Sequence, residues 1–442
     1  MKIFIRSMGC KVNQSDLAEL VEGLVPFGLE LVNEAASADA VLLNTCTVTH
    51  KADRDVRKIL GALERDHPEL PVLVAGCAVR VHAESLAAYS NVHAVFPPGK
   101  SLEIQASLRK LLKRESSSSG ESESLDWESG FARLGRSRAF VKVQDGCQAF
   151  CSYCIIPSVR GPQRSLDIED AVSRVGRLVA AGHGEVLLCG IHLGRYGIDL
   201  RPRRNLPELI EALDPVFSSG GARLRLSSVE PMEWSADLLA RISERPWVCR
   251  HFHVPLQSLD DGILKAMGRP YRAEQACEKL ASLHEAFPDA LIGTDLLVGF
   301  PGETEAQARS TMTLLEEVPV AHFHVFTYSS RPGTPAAEMP LQVEHEKKRR
   351  WAAALRAMGQ ERWIAFLKEG LNRRHMLLLE RVESGWAEGR TEHYRPVRVN
   401  LDPGQLPLRG SLLGIRAEKL VSMQLEGVVS GLLSSVEEQP ER

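Results

Sequence analysis

The 442-residue sequence predicts an α/β protein with three parts: a flavodoxin-like N-terminal domain, an incomplete (β/α)6 barrel and a small C-terminal β-barrel. Three observations support this fold class. Short apolar strands alternate with amphipathic helices over most of the chain, which indicates parallel sheets. A Ser- and Glu-rich stretch divides this alternation into a short run and a longer one. The final segment consists of short strands separated by turns, a pattern typical of a small barrel.

The composition is that of a soluble globular protein, with 44% hydrophobic and 25% charged residues. No apolar run approaches the roughly 20 residues of a membrane span, and the N-terminus lacks a signal-peptide pattern. We therefore expect a cytoplasmic protein with no membrane partner. A net charge of −3 means that any contact with nucleic acid requires a local basic surface. In a reducing compartment, metal ligation is a better explanation than disulfides for clustered cysteines.

The first domain is predicted over residues 1–112. KIFIRSMG, AVLLN and PVLVAG are its strand candidates, and a helical stretch lies near Lys51–Asp66. SDLAELVEGLVPFG is an amphipathic helix, with Ser15 or Asp16 as the predicted cap and Gly28 past its end. Residues 113–132 are polar and low in complexity, which predicts a linker.

The second domain is predicted over residues 133–370. Its strand candidates are AFVKVQD, EVLLCG, RLRLSSV, HFHVPLQ, ALIGTDLLVG and HFHVFTYS, with amphipathic helices between them. Six such units predict an incomplete barrel whose ligands bind at the C-terminal ends of the strands. Residues 371–432 predict the small β-barrel, and residues 433–442 a disordered tail.

A loop after the first barrel strand carries Cys147, Cys151 and Cys154 in a C-x3-C-x2-C pattern. Three thiolates from one loop can hold three irons of a cubane cluster and leave the fourth iron open. A structural zinc site closes its coordination on the protein, and ferredoxin-type clusters use four cysteines. The pattern therefore indicates a site for chemistry.

A second set of cysteines, Cys10, Cys46 and Cys77, follows three strands of the first domain. The C-terminal ends of parallel strands lie side by side, so these thiols are predicted to form a second metal site, again with an open iron. Buried core cysteines, or zinc completed by His50 or His82, are the alternatives. Asn13 and Thr47 flank the loops, where they shape the pocket or act as turn or cap residues.

These features together resemble the methylthiotransferases of the radical S-adenosylmethionine (SAM) superfamily over about residues 2–429. The stretches that carry the resemblance are GCKVNQSD (Gly9–Asp16), QDGCQAFCSYCIIPSVRGPQRS (Gln144–Ser165), GIHLGRYG (Gly190–Gly197), RLSSVEP (Arg225–Pro231), HFHVPLQS (His251–Ser258), LKAMGRPY (Leu264–Tyr271), GTDLLVGFPGET (Gly293–Thr304) and FTYSSRPGTPA (Phe326–Ala336). The C-terminal barrel resembles the TRAM module, which binds RNA in this family.

The resemblance implies two [4Fe–4S] clusters, one on each cysteine set, with SAM bound at the loop cluster and sulfur donated at the other. It also implies that Glu230 accepts hydrogen bonds from the ribose of SAM and that Arg269 pairs with its carboxylate. The full set of implied SAM-binding residues is Tyr153, Glu230, Gln257, Arg269 and Asp295. Cys189, Cys249 and Cys277 are expected to be core or surface thiols.

Two motifs, GCKVNQ and GIHLGRYG, are most similar to the branch that methylthiolates carbon 2 of N6-threonylcarbamoyladenosine (t6A) at position 37 of tRNA. The same chemistry on isopentenyladenosine, or on an aspartate of a ribosomal protein, is the enzymatic alternative. A metal-stabilised RNA-binding protein without catalysis is the alternative from another class. The expected partners are the tRNA anticodon stem-loop, an electron donor such as flavodoxin or ferredoxin, and a sulfur-delivery protein.

RNA contact is expected from Arg390, Arg395 and Arg398 in the C-terminal barrel, with Trp386 and Tyr394 among them as stacking surfaces. An ordinary solvated surface is the alternative explanation. Further basic residues near the cysteine loop are Arg133, Arg136, Arg138, Arg160 and Arg164.

Overall fold

The structure is a computed structural model that describes residues 1–112, 129–218, 220–402 and 407–432. The chain divides into two compact units. The first comprises Met1–Arg136, Asp145–Arg164 and Ser329–Ala337, and the second comprises Ser137–Gln144, Ser165–Tyr328 and Glu338–Arg442. The cysteine loop, predicted as part of the barrel domain, thus packs with the N-terminal unit. Most of the predicted linker and all of the predicted tail lie outside the described residues.

The first unit contains a five-stranded parallel sheet in the order β2-β1-β3-β4-β5. Its strands are β1 (Lys2–Ser7), β2 (Glu30–Val32), β3 (Ala40–Thr45), β4 (Val72–Gly76) and β5 (Val92–Phe96). Its helices are α1 (Lys11–Glu22), α2 (His50–Asp66), α3 (Cys77–Ala87), α4 (Ser101–Leu111), α5 (Gly130–Arg133) and α6 (Ile156–Arg160). This order and the flanking helices confirm the flavodoxin-like prediction.

The central strands β3 and β4 are buried on both faces, as a parallel sheet covered by helices requires. Leu42 and Leu73 pack with α1 and α4 on one side. Val41 and Val74 pack with α2 and α3 on the other. Because both faces are filled, the C-terminal edge of the sheet is the place where this fold has room for a ligand.

Two details of the sequence prediction are corrected here. Helix α1 begins at Lys11 with Cys10 as its N-cap residue, so Ser15 and Asp16 lie inside the helix and do not cap it. Ser15 is buried there. The predicted linker also ends early, because Ser129 caps the short helix α5, whose Phe131 is buried.

The second unit contains the barrel strands in two sheets, β7-β6-β8-β9 and β10-β11-β12. Strands β6, β8 and β9 pair in parallel, as do β10, β11 and β12. The strands are β6 (Ala139–Asp145), β7 (Arg164–Ser165), β8 (Glu185–Gly190), β9 (Arg223–Leu226), β10 (His251–His253), β11 (Leu291–Val298) and β12 (His322–Thr327). The helices are α7 (Ile168–Ala180), α8 (Leu206–Ala212), α9 (Asp214–Phe217), α10 (Ala236–Ser243), α11 (Asp261–Ala266), α12 (Ala273–Ala286), α13 (Glu305–Glu317) and α15 (His345–Glu369). The short helix α14 (Pro335–Glu338) lies almost entirely in the last stretch of the first unit. All six predicted strands are present.

The last segment forms a closed five-stranded barrel in the order β13-β14-β15-β17-β16. Its strands are β13 (Arg374–Glu383), β14 (Trp386–Arg390), β15 (Pro396–Asn400), β16 (Leu412–Val421) and β17 (Gln424–Leu432). Within the same unit, Arg225 joins this barrel to β8. It pairs with the fully buried Glu185 at 2.8 Å and donates to the carbonyl of Thr391 at 3.0 Å.

None of the helices in the described ranges has both the length and the apolar character that crossing a bilayer requires.

Candidate functional site

The structure brings Cys10, Cys46 and Cys77 together at the C-terminal edge of the first sheet. The Sγ atoms of Cys10 and Cys77 lie 4.0 and 3.9 Å from the same atom, Oδ1 of Asn13. Cys46 is close enough for its charge to act on Cys77. Asn13 is fixed in turn, because its Nδ2 donates to the carbonyl of Thr45 at 2.9 Å. The Asn13 side chain is therefore a fixed contact shared by the thiols of Cys10 and Cys77.

Local backbone geometry delivers two of these thiols to helix N-termini. Cys10 is the N-cap residue of α1, and Cys77 is the first residue of α3. The positive end of a helix favours a thiolate. Gly76, just before Cys77, has φ +103°, and a Cβ there would lie 2.5 Å from the carbonyl oxygen of Thr45. A glycine is thus required for the close approach of this turn to β3.

Burial has the opposite effect on the thiols. It raises the pKa of Cys77 to about 11 even though the nearby charge of Arg160 opposes the shift. Burial also raises the pKa of Cys46. At neutral pH these groups are therefore protonated thiols, and binding of a metal must release their protons.

Arg160 is the buried cation of this region, with 5% of its surface exposed. Its guanidinium donates to the Asn13 side chain, to Asp16 at 3.1 Å and to Asp145 at 3.2 Å. The sequence placed Arg160 among the basic residues near the loop, as a surface contact for RNA. The structure instead shows a buried ion pair that links α6 to α1.

A second buried ion network lies beside Cys46. The Asp53 carboxylate accepts from Thr47 Oγ1 at 2.6 Å and from Arg331 Nη2 at 2.5 Å. Burial opposes ionisation, but these donors hold the pKa of Asp53 below its usual value. His82 Nε2 lies 3.3 Å from Asp53, and His50 Nδ1 lies 3.3 Å from Arg331.

These contacts weaken the alternative of zinc completed by His50 or His82, because both imidazoles face the Asp53–Arg331 pair. The thiols are also spaced too widely for one small ion. Within the described residues, two groups have ligand atoms all within 4.8 Å of one another, and neither includes a cysteine. The three sulfurs therefore do not all lie within 4.8 Å of one another. Sulfurs bound to one zinc ion at about 2.3 Å would lie closer together than this. A larger cluster with three cysteine ligands fits this donor set.

The other cysteine set lies on one loop, between β6 and α6. The amide of Cys147 donates to the carbonyl of Gly161 at 3.1 Å, and that of Cys154 to Cys151 at 3.0 Å. Gly146 has φ +72°, and a Cβ there would meet the carbonyl oxygen of Pro162 at 2.0 Å. The loop is therefore held closed at its base by backbone contacts, and a glycine again precedes a cysteine.

The two cysteine sets belong to one packed region. Ile155 and Val159, which follow the loop cysteines, form an apolar cluster with Cys77. Tyr153 lies in the loop and is half-buried. The segment at 329–337 joins the same region through the amide of Ala336, which donates to the carbonyl of Ser152 at 2.8 Å.

In the second unit, two residues predicted to bind SAM pair with each other. Arg269 donates through both terminal nitrogens to the carboxylate of Glu230, and to the carbonyl of Pro255 at 3.0 Å. Burial raises the pKa of Glu230, although Arg269 opposes the shift. His192 Nε2 lies 2.6 Å from Glu233 in the same group. The sequence did not single out His192 and Glu233, although His192 lies in the GIHLGRYG motif.

Gln257 and Asp295, also predicted to bind SAM, are neighbours. The amide of Gln257 donates to the carbonyl of Asp295 at 2.8 Å. Gln257 has φ +66°, a left-handed conformation that is costly for a residue other than glycine. Asp295 accepts from His253 at 3.0 Å and from His324 at 3.4 Å. This strain in the loop after β10 supports a functional role for Gln257.

The three arginines predicted to contact RNA differ in exposure. Arg398 is exposed and lies over Trp386, 4.2 Å from the ring centroid. Arg390 lies over Tyr394 at 4.6 Å. Arg395 is only 1% exposed, donates to the carbonyl of Phe366 at 3.2 Å and packs on that ring. Its position gives it a packing role, so the expected RNA surface rests on Arg398, Trp386 and Arg390.

The remaining predictions concern buried groups. Cys189 and Cys249 are buried and Cys277 is half-buried on α12, consistent with core and surface thiols. Arg138, expected near RNA, is half-buried and pairs with the buried Glu185 at 2.9 Å.

Known proteins match the stretch that contains the cysteine loop, and they share the fold described above. Residues 141–315 match the radical SAM superfamily, and residues 2–97 match an uncharacterised protein family designated UPF0004. The structure resembles the radical SAM methyltransferase TsrM from Kitasatospora setae, with cobalamin and a [4Fe–4S] cluster bound (TM-score 0.56, 15% identity, 76% of each chain covered). That likeness concerns the fold. Fold and cysteine loop together define a radical SAM enzyme.

Two curated relatives narrow this class. The chain is 31% identical to a tRNA-2-methylthio-N(6)-dimethylallyladenosine synthase from Deinococcus radiodurans, over 90% of this chain and 80% of that protein. It is 32% identical to the threonylcarbamoyladenosine tRNA methylthiotransferase MtaB of Bacillus subtilis, over 78% and 77%. The chain belongs to the radical SAM methylthiotransferase family. Its cofactors are accordingly SAM and [4Fe–4S] clusters.

Proposed function

We propose that this protein methylthiolates carbon 2 of t6A at position 37 of tRNA, next to the anticodon. The observation that carries the chemistry is the convergence of Cys10 and Cys77 on Asn13, beside a C-x3-C-x2-C loop in one packed unit. The motifs GCKVNQ and GIHLGRYG support t6A as the substrate. One of the relatives named above acts on dimethylallyladenosine and the other on threonylcarbamoyladenosine. The choice of t6A therefore rests on the two motifs.

Each cysteine set would hold one cluster. Cys147, Cys151 and Cys154 would hold the cluster that binds SAM, and Cys10, Cys46 and Cys77 the auxiliary cluster. When bound, these cofactors supply reductive cleavage of SAM and the sulfur that becomes attached to the base. An open iron is expected at each, because three thiols are the ligands that the chain offers there.

The protein's own residues hold and shield these groups. Arg160 places a buried positive charge beside Cys77, which favours the thiolate once iron binds. Asn13 fixes the thiols of Cys10 and Cys77 relative to each other. In the second unit, Glu230, Arg269, Gln257 and Asp295 remain predicted SAM contacts, as does Tyr153 in the loop. We expect the Glu230–Arg269 pair to rearrange when SAM binds, since both groups now satisfy each other.

The exposed Arg398 over Trp386 is the proposed RNA contact of the C-terminal barrel. Arginine stacked on an aromatic ring offers both charge for phosphate and a surface for a base. The expected RNA is the anticodon stem-loop of tRNA. An external electron donor, such as flavodoxin or ferredoxin, and a sulfur-delivery protein complete the proposed set of partners.

The test is mass spectrometry of tRNA nucleosides from cells with and without the gene for this protein. We expect 2-methylthio-t6A to disappear in the deletion strain and t6A to accumulate, and the cysteine variants not to restore it. Loss of the methylthio derivative of isopentenyladenosine instead would transfer the proposal to that substrate. Unchanged tRNA nucleosides would contradict it altogether.

A further inference from the structure

One face of the β10–β11–β12 sheet carries imidazoles and a carboxylate where the other face carries core residues. Asp295 pairs in register with His324, so their side chains lie on the same face. Thr294 and Leu296, on the opposite face of β11, are fully buried. The His324 side chain is 46% exposed. This face is therefore polar, and it is open at its β12 side, whereas His253 on β10 is buried.

The imidazoles are held in place by the carboxylate between them. His253 Nε2 and His324 Nδ1 both contact Oδ1 of Asp295, at 3.0 and 3.4 Å. Burial opposes ionisation, but the two imidazoles hold the pKa of the Asp295 carboxyl below its usual value. Because Nδ1 of His324 is turned toward Asp295, Nε2 is the ring nitrogen left for a ligand. His324 is thus oriented by Asp295 to hydrogen-bond something outside the protein.

A second side chain on this face suits the flat part of a nucleoside. Phe326 follows His324 by two residues, so it lies on the same face about 6–7 Å along the strand. It is 47% exposed. Aromatic rings of this kind stack on unpaired RNA bases. An adenine stacked on Phe326 has its N6 substituent within reach of His324.

The polarity of this face discriminates between the two adenosines at issue. An isopentenyl group is a hydrocarbon, and burying it against imidazoles that lose water without a new partner is unfavourable. A threonylcarbamoyl group carries a hydroxyl, a carboxylate and ureido nitrogens, which replace that water with hydrogen bonds. Sites that hydrogen-bond a substrate group reject analogues that lack it.

From these contacts we infer that His324, oriented by Asp295 and His253, binds the polar N6 substituent of the adenosine while Phe326 stacks on its base. This inference rests on the proposed function and names the residue that selects t6A. His324 is a specificity-determining residue in this account, and Asp295 and His253 are positioning residues. The same three side chains form one of the two groups able to hold a metal ion among the described residues, and the test must separate the two roles.

The experiment measures binding of reconstituted protein to fluorescent anticodon stem-loops that carry t6A, isopentenyladenosine or unmodified adenosine. We expect the wild type to bind the t6A loop about tenfold more tightly than the isopentenyl loop, equivalent to about 1.4 kcal/mol. His324→Phe keeps an aromatic ring and should abolish that preference, while His324→Gln keeps a polar group and should retain part of it. Phe326→Leu should weaken the binding of all three stem-loops by the same factor. The control is His284→Phe, at an exposed position on α12.

The possible failures are distinguishable. A wild type that prefers and modifies the isopentenyl loop would overturn the proposed function. A wild type that prefers t6A, with His324→Phe keeping the full preference, would overturn only the role of His324, and the Gln variant decides if the Phe variant does not fold. Loss of a stoichiometric metal other than iron in His324→Phe would identify a metal site instead and also overturn the inference.

Discussion

The two cysteine sets of the first unit reach their positions by different routes. Cys147, Cys151 and Cys154 come from one loop, so short-range backbone contacts can shape that site. Cys10, Cys46 and Cys77 come from three strand ends, and their positions depend on the whole sheet, on Asn13 and on Arg160. The loop set is therefore readable from sequence spacing alone, whereas the strand-end set is a property of the folded sheet. The comparison predicts different sensitivities to mutation.

The largest effect is expected from removing each set in turn. Cys147, Cys151 and Cys154 changed together to Ala should reduce SAM cleavage to background and leave about four irons per chain. The same change at Cys10, Cys46 and Cys77 should retain SAM cleavage and abolish thiolation. Anaerobic reconstitution, iron analysis and measurement of 5′-deoxyadenosine check both outcomes. Cys277→Ala is the matched control and should behave as wild type. SAM cleavage that survives in the loop variant would contradict the assignment of the two sets.

The next effect tests the link between the sets. Arg160→Met leaves the Asp16 and Asp145 carboxylates without their buried partner, and breaking a buried pair in this way costs about 3–5 kcal/mol. Denaturant unfolding of the apoprotein measures it, and iron retention should fall at both sets. Arg65→Met removes an exposed pair with Asp66 and should cost less than about 1 kcal/mol. Equal costs for the two variants would mean that Arg160 does not support the site.

A smaller effect is expected from the glycine that precedes Cys77, and it can be compared with a glycine of positive φ away from the cysteines. Gly76→Ala places a Cβ against the Thr45 carbonyl and should cost about 2–5 kcal/mol from overpacking and strain together. Iron bound at the strand-end set should be lost first, with SAM cleavage at the loop set less affected. Gly28→Ala has φ +72° and open space around it, so only about 1–2 kcal/mol is expected. The prediction fails if Gly28→Ala is as costly as Gly76→Ala.

The smallest effect concerns pH. Since the folded pKa of Asp53 is depressed, its stabilising contribution is complete above its unfolded pKa of about 4 and is lost only as pH falls through the lower folded value. The cost of Asp53→Asn should therefore be the same at pH 8 and pH 6, within about 0.5 kcal/mol. Denaturant unfolding at the two pH values checks this, with the exposed Asp66→Asn as control. A cost that drops markedly at pH 6 would show that the folded pKa of Asp53 is raised toward 6 instead of depressed.

Much of the fold could be predicted from the sequence, because strand and helix periodicity is local. All six barrel strands, the flavodoxin-like sheet and the closed C-terminal barrel were expected and are present. The start of α1 was predicted wrongly, because serine is a residue type that favours N-caps, but Ser15 is buried within the helix. A cap preference yields when tertiary packing sets the helix boundary.

The candidate site was predicted less completely, because sequence shows that a charge exists but not what surrounds it. Arg160 and Arg395 were both expected at RNA-facing surfaces, and both are buried with carbonyl or carboxylate partners. Arg331 was not singled out, although it lies in the FTYSSRPGTPA stretch that carried the family resemblance. Its partner Asp53 is far away in the sequence, which is why spacing could not reveal the pair.

The division of the first unit into three stretches of chain limits how the protein can be dissected. A fragment that ends near residue 112 omits Arg160 and Arg331, the buried arginines that pair with Asp16 and Asp53. Such a fragment is a poor candidate for autonomous expression, and grafting it onto another enzyme would not transfer its cofactor. Any transfer of this unit to another protein must therefore include the stretches 145–164 and 329–337.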